Sequence, residues 1–177
     1  MRRLRFVYIT TAAVLVGTVL AIASGTIVLV PANVPTTDTS VLIRVGTAAI
    51  VTANGNWDVC GGACPSDADG ATNGSLGFCP GVAGDPAGEL IGSVDGGNTF
   101  FAVGSGPTEV SSPGELLLGS NDCLIYDDNS GSITATIVLI PTDKDACKND
   151  GWRTLQQADG TSFDNQGNCI QYVLTGN

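Results

Sequence analysis

Polar and apolar positions alternate along the chain in short runs, a pattern typical of β-strands. Clusters of Gly, Pro, Asn and Asp separate the runs at fairly regular spacing. No stretch before residue 140 has a convincing helical period. Strands without interposed helices predict an all-β fold, a β-sandwich of jelly-roll type. The predicted strands are Thr26–Val30, Ser40–Val45, Ala48–Ala53, Glu89–Val94, Thr99–Val103, Glu115–Leu118 and Ser132–Ile140.

The first residues have the order of a secretory signal. Arginines at positions 2, 3 and 5 precede eighteen uncharged, mostly apolar residues from Phe6 to Ala23, which end in a small-x-small cleavage site. We therefore expect residues 1–23 to be a signal peptide and the protein to be secreted. Eighteen apolar residues are also near the minimum that spans a bilayer, so an uncleaved N-terminal membrane anchor is the alternative.

The rest of the chain divides at Pro141. Residues 24–140 hold the predicted strands and form the expected sandwich domain. Residues 141–177 include Cys147 and Cys169, and thirty-seven residues cannot bury a core unaided. We therefore expect a small C-terminal appendage, closed by a disulfide between these two cysteines, with a short helix near Gly167–Leu174. The appendage is similar to a short cysteine-containing segment that ends many secreted bacterial proteins.

Composition argues against several classes of function. Removing residues 1–23 takes away three of the seven basic residues and none of the seventeen acidic ones, so the formal net charge falls from −10 to −13. Such a charge repels phosphate backbones, and we expect no nucleic-acid partner. The chain has no histidine, which removes the usual general base and zinc ligand. We therefore expect a protein that is not an enzyme.

Six cysteines behind an export signal predict three disulfides. Cys60, Cys64, Cys79 and Cys123 allow three pairings, and the sequence does not choose among them. Cys60 and Cys64 also have the spacing of half a zinc knuckle, but the second half is missing, which favours a disulfide. Three of these cysteines lie in a long interruption of the strand pattern, which begins at Trp57. Trp57 itself serves either as a core anchor or as a face on which a sugar ring stacks.

The stretch "NDCLIYDDNSGS" concentrates three Asp and two Asn in twelve residues. Carboxylates this close together destabilise one another unless a cation neutralises them. Ligands that are all oxygen, without His or Cys, favour calcium over zinc or copper. The alternative is an ordinary Asp/Asn/Gly turn, because these side chains bond to nearby backbone amides. The spacing does not match an EF-hand.

Three stretches, "VPANVPTTDTSVLIRVGTAAIVTANGNW", "LIGSVDGGNTFFAVGS" and "GELLLGSNDCLIYDDNSGSITATI", together resemble the PA-IL family of calcium-dependent, galactose-binding bacterial lectins. The resemblance covers roughly residues 26–140 and implies a galactose-binding-domain-like jelly roll. The calcium ligands it implies are Asp122, the carbonyl of Ile125, Asp128, Asn129 and a carbonyl near Val59. Asp128 stands where the family has Asn, and the segment that follows Asp122 is one residue shorter here.

In that family the sugar bridges to the calcium through two hydroxyls, supported by a His and a Gln on the long loop. This chain lacks the His, and its long loop offers Asp67, Asp69 and Asn73 as candidate carbohydrate-binding residues; solvated turn residues are the alternative. The resemblance implies a secreted, non-enzymatic lectin with galactose-type glycans as candidate partners, assembled as a homo-oligomer. The alternative is a calcium-stabilised structural or cell-surface interaction domain without sugar binding.

Overall fold

The computed structural model describes residues 25–71, 82, 84–122 and 125–176. Strands dominate this part of the chain, and its one α-helix follows the last of them. The strands are β1 (Thr26–Pro31), β2 (Thr37–Ile43), β3 (Thr47–Asp58), β4 (Pro65–Ser66), β5 (Leu90–Ser93), β6 (Phe101–Ala102), β7 (Thr108–Val110), β8 (Gly114–Ser120) and β9 (Ser130–Pro141).

The strands form two antiparallel sheets. The first has the order β1-β9-β3-β4, with β7 also pairing with β3, and the second has the order β2-β8-β5-β6. Each of the seven predicted strands corresponds to one of these, although their boundaries differ; β4 and β7 were not predicted. The predicted all-β sandwich is confirmed.

The pairing of β3 with β9 is the longest in the first sheet. The two strands pair over twelve residues, and the ladder ends where Asp58 lies opposite Ser130. Apolar residues alternate along β9: Ile133 and Ile137 are buried, whereas Thr134 between them is partly exposed. This alternation places one face of the strand on the core, while the other face is partly exposed at Thr134 and buried again at Val138 and Ile140.

The core lies between the two sheets and draws side chains from both. Trp57 is only 3% exposed, and its indole Nε1 donates a hydrogen bond of 2.7 Å to the carbonyl of Gly88. The interpretation of Trp57 as a core anchor is therefore confirmed, since a buried ring has no face to offer a sugar. The most deeply buried large apolar residues of this core are Val30, Ile43, Val51, Leu90, Leu116, Leu118, Ile133 and Ile137.

The C-terminal appendage has a small core of its own around the predicted disulfide. Cys147 and Cys169 are bonded, with an Sγ–Sγ distance of 2.04 Å, and both are fully buried. The helix α1 (Gln166–Thr175) begins where the side chain of Asn165 accepts a hydrogen bond from the backbone N–H of Asn168. Leu139 of β9 packs against both this core and the main one, which joins the appendage to the sandwich.

Cys60 and Cys64 are also bonded to each other, with an Sγ–Sγ distance of 2.00 Å, which is one of the pairings that the sequence left open. Cys79 and Cys123 lie outside the described residues, and so does the predicted signal peptide. No helix in the described ranges is long and apolar enough to cross a membrane.

The two observed disulfides should differ in their effect on stability. Replacing Cys147 and Cys169 by Ala opens a loop closed at a sequence separation of 22, against 4 for Cys60 and Cys64. From loop-closure entropy we expect the first pair of substitutions to lower the free energy of unfolding by about 3 kcal/mol and the second by about 2 kcal/mol. Urea unfolding of both double variants measures the difference, and a larger loss for Cys60 and Cys64 would contradict it.

Candidate functional site

The acidic stretch forms the connection between β8 and β9. Asp122 follows the end of β8 by two residues, and Asn129 immediately precedes β9. The ladder between β3 and β9 ends at the same point, so the loop that leaves β3 after Asp58 lies beside it. The topology therefore brings together the residues around 58–62 and 122–129, apart from residues 123 and 124, which lie outside the described ranges.

Asp122 and Asn129 form a buried pair at this corner. They are 5% and 8% exposed, and Asn129 Nδ2 donates hydrogen bonds to Asp122 Oδ2 at 2.7 Å and to the carbonyl of Ala32 at 3.0 Å. The amide oxygen, Asn129 Oδ1, is buried and has no hydrogen-bond partner among the described residues. Leaving such an acceptor unsatisfied costs about 1–3 kcal/mol. This oxygen is therefore available to accept a hydrogen bond or to coordinate a cation.

The loop after β3 supplies the other side of the corner. Asp58 is buried and accepts hydrogen bonds from the backbone N–H groups of Cys60 at 3.0 Å, Gly62 at 2.7 Å and Cys64 at 3.1 Å. These bonds, led by that from Cys60, lower the pKa of the Asp58 carboxyl. The nearby disulfide closes the same turn. The hydrogen bonds to Asp58 and the disulfide between Cys60 and Cys64 together hold the loop in one conformation.

Asp128 reaches this loop. Its side chain is exposed, and its Oδ2 lies 3.5 Å from the position a Cβ atom would take at Gly61. Val59 is 3% exposed, with its side chain in the core, so any part it has in a site falls to its carbonyl. The side chain of Ile125 is 64% exposed and offers no ligand atom, so any part Ile125 has in a site also falls to its carbonyl.

Within the described residues, no three Asp, Glu or Cys side chains gather as a metal-binding group. The ligand set implied by the resemblance contains only two carboxylates, those of Asp122 and Asp128. Its other ligands are the amide oxygen of Asn129 and main-chain carbonyl oxygens. Such a mixed oxygen set suits calcium, which accepts carbonyl and amide ligands beside carboxylates. The unpartnered oxygen of Asn129 fits this set.

The candidate sugar residues of the long loop lie elsewhere. Asp67 Oδ1 accepts the backbone N–H of Asp69 at 3.0 Å, and the two carboxylate oxygens of Asp69 accept from the N–H and the hydroxyl of Ser105 at 2.7 and 2.9 Å. Both residues line a pocket of about 660 Å³. That pocket shares no lining residue with a second pocket, which opens beside Asp122. Asn73 lies outside the described residues.

Glu89 is a notable residue that sequence reasoning missed. Its Oε2 is buried without a hydrogen-bond partner in the described part of the chain. Burial, followed by the negative charges of Asp85 and Asp69, raises the pKa of Glu89 from 4.5 to about 7. The only signal in the sequence was an isolated Glu at the start of a predicted strand, which is not distinctive.

The second pocket, of about 420 Å³, opens beside Asp122. Phe100 and Tyr126 contribute aromatic rings to its lining, and Asn98, Ser120 and Asp122 contribute polar groups. Burial, and then the charge of Asp122, raises the pKa of the Tyr126 phenol. The phenol is therefore a neutral hydroxyl at physiological pH.

No protein-family model matches the chain, and no curated protein matches it. Among the solved structures that do match, one is described as the N-terminal domain of EclA, a PllA-like lectin. It is 21% identical to this chain and covers 63% of this chain and 92% of its own, with a TM-score of 0.48.

The raised pKa of Glu89 predicts a pH-dependent stability. Because the folded-state pKa lies above the unfolded value, the contribution of Glu89 is fully present below the unfolded value of 4.5 and is lost as the pH rises through about 7. Glu89→Gln, which keeps a neutral side chain, should lose less stability than the parent protein between roughly pH 5 and pH 8. Thermal unfolding across this range measures the difference.

The exposed Glu109 of β7 provides the matched control for this experiment. Glu109→Gln should follow the parent curve. If Glu89→Gln and the parent protein change their melting temperatures in parallel over the whole range, Glu89 does not titrate as described.

Proposed function

We propose that this chain is a secreted, non-enzymatic, calcium-dependent carbohydrate-binding protein. The observation that carries the proposal is the buried amide oxygen of Asn129, which has no hydrogen-bond partner among the described residues. The amide nitrogen of the same side chain donates a hydrogen bond to the buried carboxylate of Asp122. A cation at this corner would satisfy the oxygen and neutralise the surrounding carboxylates together. In this proposal the ligands are Asp122, Asp128, Asn129 and the carbonyls of Ile125 and Val59.

Bound calcium would supply a Lewis-acidic point at which two neighbouring sugar hydroxyls can replace water. Carboxylates next to it can accept hydrogen bonds from the same hydroxyls, which makes recognition directional. The overall charge of −10 disfavours anionic ligands. The proposed partners are therefore neutral glycans, with galactose-type sugars as the first to test.

A second candidate function is a calcium-stabilised interaction domain without sugar binding. The observation that favours it is the engagement of Asp69, whose two carboxylate oxygens already accept hydrogen bonds from Ser105. A side chain held in this way has a structural role in its loop. Under this alternative, calcium would raise stability and no glycan would bind.

Two adjacent aspartates allow a matched test of the calcium site. Asp127 and Asp128 are both exposed, and only Asp128 belongs to the proposed ligand set. Calcium at a hundred times its Kd should stabilise the parent protein by about 2.7 kcal/mol relative to chelator. Asp128→Ala should lose most of this gain, whereas Asp127→Ala should keep it. Thermal unfolding in chelator, magnesium and calcium measures the effect.

Magnesium should stabilise less than calcium, because it demands regular octahedral geometry and releases its waters reluctantly. Identical melting of the parent protein in chelator and in millimolar calcium would refute the calcium site. A calcium-dependent shift accompanied by an empty glycan panel would instead select the structural alternative.

A further inference from the structure

Strand β1 is an unprotected edge of the first sheet. In the described part of the chain it pairs with β9 along one side only, and it stands at the end of the strand order. None of its residues, Thr26–Pro31, is ionisable, and its ladder with β9 runs without a register shift. The edge strands β4 and β6 have two residues each, and β2 carries Asp38 and a register shift. Because proteins protect edges by such devices, a regular and uncharged edge indicates a strand that a partner covers.

The free side of β1 presents the backbone groups of Ile27 and Leu29. The N–H of Ala32 donates a hydrogen bond to the carbonyl of Gly131, which continues the ladder with β9. Since hydrogen-bonded pairs alternate along an antiparallel ladder, Val28 also bonds to β9. The N–H and C=O groups of Ile27 and Leu29 therefore point away from the sheet, where another strand can pair with them.

The side chains of Ile27 and Leu29 form an apolar stripe beside this edge. They are 72% and 61% exposed, whereas Val28 between them packs against the main core, so the stripe lies on the outer face of the sheet. Their neighbours across β9, Thr136 and Thr134, are also uncharged. The edge is therefore a neutral surface on a chain whose formal net charge is −10.

Charge and geometry together select a second copy of the chain as the partner. Two copies of an acidic protein repel each other wherever carboxylates face, so they approach closely only at a neutral surface. A strongly charged partner gains no attraction from such a stripe. The edge is also complementary to itself, because a two-fold axis at Val28 sets Ile27 opposite the partner's Leu29 and Leu29 opposite the partner's Ile27.

We propose that two copies of this chain pair antiparallel through their β1 edges, about a two-fold axis at Val28, and so join their first sheets into one continuous sheet. Ile27 and Leu29 of each copy exchange backbone hydrogen bonds across the axis, and their side chains pack as aliphatic cross-strand pairs. Pro31 has no N–H and ends the new ladder. The interface uses no residue of the proposed calcium site, so it stands or falls separately from the proposed function.

A pair of charge substitutions tests both the edge and its register. Ile27→Lys and Leu29→Asp each set a charge opposite an aliphatic side chain, and each should weaken dimer formation by about tenfold or more. Mixing the two variants should restore a heterodimer, because the introduced lysine then lies opposite the introduced aspartate. Both positions are exposed, so each variant should keep the melting temperature of the parent protein.

Leu42→Asp is the matched control, since Leu42 is 45% exposed on β2, an edge strand of the other sheet. It should dimerise as the parent protein does. Val28→Cys gives a second readout, because residues that face each other at the axis lie within the span of a disulfide. Mild oxidation should trap a covalent dimer of Val28→Cys but not of the parent protein or of Leu42→Cys.

Sedimentation velocity measures the association, with a nonionic detergent present if residues 1–23 remain attached. Salt should strengthen the dimer, because it screens the repulsion between like charges, and chelator should leave the dimer intact. A dimer that Leu29→Asp leaves unchanged overturns the proposal, and so does one that chelator dissociates, which would place the assembly at the calcium corner.

A monomeric parent protein also overturns the proposal. If this monomer binds phosphatidylcholine vesicles and Leu29→Asp does not, the stripe contacts lipid. If a monomeric full chain dimerises only after residues 1–23 are removed, those residues cover the edge in the full chain.

Discussion

The antiparallel ladder between β3 and β9 is the constraint on which the rest of this structure depends. Because the two strands pair as far as Asp58 and Ser130, the loop leaving β3 and the loop entering β9 must lie side by side. On the other side of β9, the backbone N–H of Ala32, just beyond β1, extends the pairing of β1 with β9 by donating to the carbonyl of Gly131. A cation corner needs ligands from segments far apart in sequence, and this register brings them together.

The loops at this corner hold two kinds of carboxylate, which the local hydrogen bonds distinguish. Asp58 accepts three backbone N–H groups and so shapes its own turn. Asp122 instead receives the amide of Asn129, whose other polar atom is left without a donor in the described part of the chain. Both carboxylates are buried, but only the second belongs to a pair that a bound ligand would complete. Burial alone does not identify a ligand-binding carboxylate.

Much of the fold could be predicted from local patterns, because strands with one buried face alternate visibly. The errors fall where long-range pairing overrides local preference. Turn-forming residues such as Gly55 suggest that β3 ends at Ala53, yet pairing with β9 carries it on to Asp58. The two-residue β4 exists only as a partner of β3. Disulfide bonding of Cys60 and Cys64 was preferred over zinc binding, but their pairing with each other could not be predicted, because no spacing rule chooses among pairings, which depend on how the loop folds.

The site was less predictable, because a carboxylate in a sequence does not reveal which hydrogen bonds it already accepts. Asp69 could be selected as a sugar ligand from its place in a long loop, but Ser105, thirty-six residues away, donates a hydrogen bond to each of its oxygens and gives it a structural role. The amide oxygen of Asn129, by contrast, is buried without a partner among the described residues, on a side chain that bonds to Asp122 in the connection between β8 and β9. Ligand chemistry is therefore better sought at this corner than in the acidic long loop.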